Sequence, residues 1–277
     1  MNNMLTLRNL SKLYGRGCAS CLELTGPQFA SNICPACGTI VACADVSFDV
    51  YPGEVLGIVG ESGSGKSTLV KTLYFDEQPT SGEYLLQNYE EGRTNLYSLN
   101  NRQQRWVRNH LMGMVYQNPH LGLRLDYSTG GNIAEKLLMA DCYHIGTIRD
   151  RAKELLGKTL IPIERIDDQP RYFSGGMQQR VQISKAMANN PPLLLLDEVT
   201  TGLDVSVQAN VLDLIRQIQR ELGITMVVVS HDFSVIRMLT NRTIVMKNGR
   251  IVEQGLTDQI MEDPQHEYTQ LLINSLL

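Results

Sequence analysis

Val55-Leu56-Gly57-Ile58-Val59-Gly60-Glu61-Ser62-Gly63-Ser64-Gly65-Lys66-Ser67 is the stretch from which the rest of this chain can be read. Its first half is an apolar run opened by the turn Tyr51-Pro52-Gly53-Glu54, the pattern of a buried strand. Its second half fits G-x-x-x-x-G-K-[ST] and leads, through Thr68, into a helical pattern. Glycines there let backbone N–H groups turn inward around an anionic phosphate without Cβ clashes. The helix beginning near Lys66 adds its positive N-terminal end. In such an arrangement Lys66 reaches the β- and γ-phosphates of a nucleotide, and the Ser67 hydroxyl binds Mg²⁺. Gly60, Glu61, Ser62, Gly63, Ser64, Gly65 and Thr68 are the other residues expected to line the phosphates.

Further along, Leu193 to Leu196 and Ile224 to Val229 are short apolar runs bounded by Pro191-Pro192 and Ser230-His231-Asp232. Between them Val207, Val211, Leu214, Ile215 and Ile218 recur at the spacing of one helix face. Strand, helix and strand in this rhythm predict an α/β fold whose parallel sheet is covered by helices. The first run ends in Asp197-Glu198. At the C-terminal edge of a parallel sheet Asp197 can hold the Mg²⁺ shell, and Glu198 can polarise a water attacking the γ-phosphate. The plainer alternative is a strand-end acid that caps a helix.

The remainder agrees with a cytosolic globular protein. The chain has 277 residues, 43% apolar and 19% charged, far from a disordered composition. No apolar run approaches the roughly 18 to 20 residues that cross a bilayer, and Met1-Asn2-Asn3-Met4 lacks the layout of a signal peptide. A formal charge of −4 argues against nonspecific nucleic-acid binding. Alternating residues around Leu5 and Leu7, and again at Val46, Phe48 and Val50, suit strands. Residues from about Ser98 to Pro170 read as mostly helical.

Residues 15–41 interrupt an otherwise ordinary strand–turn–strand opening and read as an insertion. They contain Cys18-Ala19-Ser20-Cys21 and Cys34-Pro35-Ala36-Cys37-Gly38. In a cytosolic chain two such pairs point to a metal rather than to disulfides. Four thiolates at this spacing form two knuckles around one tetrahedral ion, with Pro35 and Gly38 suited to the turn. A structural Zn²⁺ held by Cys18, Cys21, Cys34 and Cys37 is the expected occupant. An iron–sulfur cluster, a redox disulfide pair and a metal-free loop are the alternatives.

Phe173-Ser174-Gly175-Gly176-Met177-Gln178-Gln179-Arg180, taken with the two phosphate-site motifs, resembles the signature sequence of ATP-binding cassette ATPases. That resemblance extends over nearly the whole chain outside the insertion. It implies a P-loop ATPase fold with a RecA-like core sheet, an antiparallel β subdomain and a helical subdomain. On this reading 1–277 is one nucleotide-binding domain with a zinc-ribbon-like insertion at 15–41. The helical subdomain spans 98–175, and a C-terminal accessory tail spans 255–277. By the same resemblance Tyr14 stacks on adenine, and Gln117 senses Mg²⁺ and the attacking water. Glu198, His231 and Gln117 are then the catalytic group, with Ser67, Gln117 and Asp197 around Mg²⁺. Asp204 lies in the D-loop, while Ser174, Gly175, Gly176 and Gln178 belong to the signature. A homodimer is implied, in which the signature of one copy completes the ATP site of the other. Val199 departs from the family, which usually has proline there.

Two branches of the family compete. Asp263-Pro264-Gln265-His266-Glu267-Tyr268-Thr269-Gln270-Leu271-Leu272 resembles the tail of oligopeptide, dipeptide and nickel importer ATPases, whose partner is a permease. Leu121-Gly122-Leu123-Arg124, Ser128 to Glu135, Ile166 to Pro170 and Gly202 to Gln208 look most like the K subunits of carbon–phosphorus lyase systems. Those dock on a soluble phosphonate-degrading core, with room for a second cassette ATPase. DNA-repair cassettes also carry zinc modules, but within a two-cassette chain and after the first phosphate loop. The expected partners are therefore lyase core subunits, with an importer permease as the alternative and no nucleic acid.

Overall fold

A computed structural model describes residues 3–274; the last three residues of the expected tail, 275–277, lie outside the described residues. In chain order the first strands are β1 (Leu5–Tyr14), β2 (Ile40–Val50), β3 (Val55–Val59), β4 (Ser81–Leu86) and β5 (Met112–Val115). They are followed by β6 (Leu193–Asp197), β7 (Thr225–Ser230), β8 (Arg242–Lys247) and β9 (Arg250–Leu256). The helices are α1 (Lys66–Leu73), α2 (Asn101–His110), α3 (Pro119–Gly122), α4 (Thr129–Leu138) and α5 (Ile145–Lys158). Then come α6 (Gly175–Ala186), α7 (Val205–Leu222), α8 (Phe233–Leu239), α9 (Thr257–Glu262) and α10 (Glu267–Asn274). Two compact units divide these elements: one runs up to Asn100 and resumes at Val227, and the other is Asn101–Met226.

The first unit contains a three-stranded antiparallel sheet in the order β2-β1-β4. Leu5 pairs with Val50 and Leu86, and Leu7 with Phe48 and Tyr84, so the alternating apolar residues share one buried face. The register shifts between Leu7 and Leu10, and Asn9 takes φ 48° in that stretch. The same unit holds the phosphate-loop strand β3, all of it buried and parallel to β8. Continuous apolar character is what a strand covered on both faces requires. Gly57 is required there because a Cβ would lie 2.9 Å from Ile236 of α8 and from Thr240, the residue that ends that helix. β9 closes this sheet antiparallel to β8.

In the second unit β5 and β6 run parallel, with Met112 beside Leu193 and Val115 beside Leu196. α7 matches the expected amphipathic helix: Val211, Leu214, Ile215 and Ile218 are buried, Asp204 caps its start, and Gly223 ends it at φ 61°. The stretch 98–175 is largely helical, interrupted by β5. The chain is thus α/β with an antiparallel β portion and a helical portion. Among the described residues no helix is long and apolar enough to cross a membrane.

Candidate nucleotide site and cysteine cluster

The phosphate loop leaves β3 and enters α1 through backbone shapes that demand glycine. Gly60 has φ 155° and Gly65 φ 103°; a Cβ on them would lie 2.2 Å from the Met246 carbonyl and 2.1 Å from that of Ala42. No side chain fits at either position, so the loop packs its backbone directly on those two carbonyls; a glycine-rich turn of this kind leaves its N–H groups able to meet a phosphate chain. Lys66 is buried, and its ammonium donates to the carbonyls of Gly60 at 2.7 Å and Glu61 at 2.8 Å. Ser64 is buried beside it, Ser67 and Thr68 are half-buried in the first turn of α1, and Glu61, Ser62 and Gly63 are exposed.

Distant segments of the same unit brace the loop, and motif reading gave no sign of them. The Gly249 N–H donates to the Ser64 carbonyl at 3.0 Å. The Glu61 N–H donates to the hydroxyl of buried Tyr268, in α10, at 3.0 Å, while the Lys247 ammonium stands 4.4 Å from that ring's centroid. Burial, the largest influence, pushes the Tyr268 phenol up, so it stays neutral and able to accept. Tyr268→Phe is expected to lower stability by about 1 kcal/mol, the typical net value of one such bond, read from the urea midpoint. It should also weaken ADP binding, since the ring stays while the brace on the loop is lost.

The remaining predicted residues of the first unit are Tyr14 and His231. Tyr14 ends β1, is 38% exposed and has the Lys12 ammonium 4.7 Å from its ring centroid. His231 is exposed directly after β7.

The second unit brings together Gln117, Asp197 and Glu198. Asp197 is the buried last residue of β6. Glu198 follows with φ 46°, a left-handed backbone that non-glycine residues seldom adopt and that often marks a functional site. Its Oε2 accepts from the Gln117 amide at 3.0 Å and from the Thr201 hydroxyl at 3.2 Å. Gln117 is itself set by α6: Gln182 Oε1 accepts from the Tyr116 N–H at 2.6 Å, and the amides of Gln179 and Gln182 donate to the Tyr116 carbonyl. Carboxylate and amide oxygens are hard donors of the kind Mg²⁺ takes, which suits Asp197 and Gln117 of this unit; the Ser67 hydroxyl of the first unit is of the same kind.

The signature residues are equally well placed by local chemistry. Ser174 caps α6 by accepting from the Met177 N–H, and a Cβ on Gly176 would lie 2.3 Å from Val207. Gln178 donates inward to the Pro170 carbonyl at 2.9 Å and so holds the preceding turn. Asp204 caps α7 through the Val207 N–H at 2.9 Å. After Gln117 the chain makes α3 and a cavity of about 500 Å³ bordered by Leu121, Arg124, Tyr127, Glu135 and Lys185. Leu121 and Tyr127 are exposed there, while Glu135 bonds both Lys185 and Arg124. Burial would raise the Glu135 carboxyl, but those two cations bring it below the usual range.

The four insertion cysteines converge. Their sulfurs all lie within 4.8 Å of one another, and Cys18–Cys21, Cys18–Cys34 and Cys21–Cys37 are 3.6, 3.7 and 3.4 Å apart. Zinc–sulfur bonds of about 2.3 Å put tetrahedral sulfurs about 3.8 Å apart, so the cluster fits one such ion. All four are free thiols, with Cys21 and Cys34 buried and Cys18 and Cys37 exposed. The Cys18 N–H points at Cys21 Sγ at 3.1 Å, and Gly38, at φ 73°, donates to the Cys34 carbonyl at 2.8 Å. Each pair thus closes a knuckle. Bonds from the Thr39 hydroxyl and backbone lower the Cys37 thiol to about 6, whereas bonds to Cys21 and Cys37 push Cys18 up to about 12. The insertion is tethered to β9 by Arg250, whose guanidinium donates to the Leu22 carbonyl.

Comparison with known proteins places this geometry. The ABC transporter family profile matches residues 43–201. PhnK of Escherichia coli K12, a phosphonates-utilization ATP-binding protein, is 49% identical over 84% of this chain and 91% of its own length. The oligopeptide transport ATP-binding protein OppF of Lactococcus lactis is 37% identical over 86% of this chain and 72% of its own. Among solved structures, the dimeric ATP-binding cassette MJ0796 in a post-hydrolysis state with ADP and Pi superposes with TM-score 0.76 at 28% identity, covering 92% of this chain and 99% of that one.

Proposed function

This chain belongs to the ABC transporter family of ATPases and hydrolyses ATP, and on that premise we propose that it powers a soluble carbon–phosphorus lyase assembly that degrades phosphonates. The observation that carries this reading is the 49% identity to a phosphonates-utilization protein over 91% of its length, against 37% over 72% for a peptide-transport relative. The segment after Gln117 supports it, because that surface is the one expected to meet a partner. A permease partner is the second reading, favoured by the tail run from Asp263 to Leu272.

In the proposed cycle the N–H groups of the glycine cradle and Lys66 grip the β- and γ-phosphates, and Tyr14 stacks on adenine. Ser67, Asp197 and Gln117 would hold Mg²⁺, which supplies charge neutralisation on the phosphates. Glu198 accepts a proton from the attacking water while Gln117 and Thr201 hold its carboxylate in place. His231 contacts the γ-phosphate. Ser174, Gly175, Gly176 and Gln178 of a second copy close over the nucleotide, with Asp204 at the seam. The P–O bond to the γ-phosphorus breaks, giving ADP and phosphate, and the two copies part. Cys18, Cys21, Cys34 and Cys37 would hold one structural zinc ion, with no part in hydrolysis.

Purification of the tagged chain from its native cells tests the partner. Lyase subunits should accompany it; permease subunits in their place would overturn the reading.

A further inference from the structure

Tyr14 is 38% exposed, so side-chain packing alone does little to fix it; its place depends on where β1 ends. That end is made by the insertion. Tyr14 pairs with Ile40 and Leu13 with Val41, the first two residues of β2, directly after the second cysteine knuckle. Buried Cys21 and Cys34 pack with Val41 and Ala44, and Leu13 and Leu22 lean on the same cluster. The metal ligands are therefore part of the core under the last turn of β1.

Thr39 makes the connection specific. It is buried, and its carbonyl accepts from the Cys34 N–H at 2.9 Å. Its hydroxyl oxygen accepts from the Gly17 N–H at 3.0 Å, directly before the first knuckle. On the other side it fills the space beside Gly15, the residue after Tyr14: a Cβ on Gly15, at φ 131°, would stand 2.8 Å from Thr39 Oγ1. One buried threonine thus touches both knuckles and the turn that leaves the aromatic. With four sulfurs gathered on an ion this arrangement is rigid. Without the ion, thiols and thiolates crowd together and both knuckles lose their anchor.

We propose that the metal-loaded cysteine cluster, acting through Thr39, positions Tyr14 and thereby sets the grip on the nucleotide base while leaving the phosphate grip unchanged. This deepens two readings above, Tyr14 as the adenine contact and the cluster as a zinc site. Tyr14 is the contacting residue; Thr39 and the cluster are positioning elements.

Calorimetry on the full chain, zinc-loaded or stripped with chelator and reductant, tests it with two magnesium-bound ligands: a nonhydrolysable ATP analogue and inorganic tripolyphosphate. Stripping should weaken the analogue roughly ten-fold, within the range of one base–aromatic stack, and leave tripolyphosphate unchanged. Thr39→Val, which keeps all four ligands, should shift the analogue in the same direction with zinc content retained. Equal weakening of both ligands, or no change in either, overturns the proposal. Tyr14→Ala separates the premises: no loss of analogue binding there refutes the adenine assignment, whereas a loss there with none on stripping refutes the coupling alone. Purified chain without zinc refutes the metal reading.

Discussion

Glu198→Gln is expected to cut ATP turnover by about 10²- to 10⁴-fold, the usual worth of a positioned general base, while nucleotide binding persists. The substitution is nearly isosteric, and glutamine has an oxygen to accept from the Gln117 amide and the Thr201 hydroxyl, which both meet Glu198 Oε2. What it removes is the lone-pair basicity that draws a proton from water. With ATP bound and uncleaved, the protein should accumulate as a dimer, visible by size-exclusion chromatography with light scattering in MgATP. Native-rate turnover by this variant would show that another group is the base. The left-handed φ at Glu198 makes the prediction sharper. Strain of this kind persists where the surroundings over-determine it, and here two hydrogen bonds and buried Val199 and Asp197 do so. Valine in place of the family's usual proline is buried, so it adds packing where proline would restrict the backbone.

The second large effect concerns the metal. Purified protein should carry one zinc per chain by elemental analysis, and removing it should unfold the insertion. Structural zinc in small modules contributes on the order of 10 to 16 kcal/mol of apparent binding free energy at neutral pH, far more than residues 15–41 can gain from burial alone. Cys34→Ser should abolish stoichiometric zinc and open the insertion to limited proteolysis. The pH dependence has a defined sign. Thiolates, not thiols, bind the ion, so protons compete with it and affinity falls as pH drops. Zinc retained per chain, read by elemental analysis after dialysis at a series of pH values, should therefore fall on the acid side. Iron with visible absorption in the native protein would replace zinc by an iron–sulfur assignment.

Much of this was legible in the linear order of residues because its causes are local. A glycine run between an apolar stretch and Lys66 predicts strand, cradle and helix, since backbone sterics act over a few residues. The apolar spacing from Val207 to Ile218 predicts α7 for the same reason, and Cys-x-x-Cys spacing predicts two knuckles. Other features had no local signal. Tyr268 lies in a tail that reads as a family marker, yet its hydroxyl takes the N–H of Glu61, 207 residues away. Thr39 reads as one more loop residue after a glycine, and only folding brings both knuckles and Gly15 around it. Gln179 and Gln182 read as polar helix positions, although they fasten the backbone beside Gln117.

The groups this protein can offer to chemistry were readable along the chain: a glycine loop before Lys66, the paired carboxylates at Asp197-Glu198, the Ser174-Gly175-Gly176 helix start and two Cys-x-x-Cys pairs, each set by a short stretch of residues. How those groups are held became visible only in the folded chain. Glu198's strained backbone, the tyrosine brace on the phosphate loop and the threonine joining the cysteines to Tyr14 depend on contacts between distant segments, and hydrogen bonds of that kind form only once the core has brought their partners together.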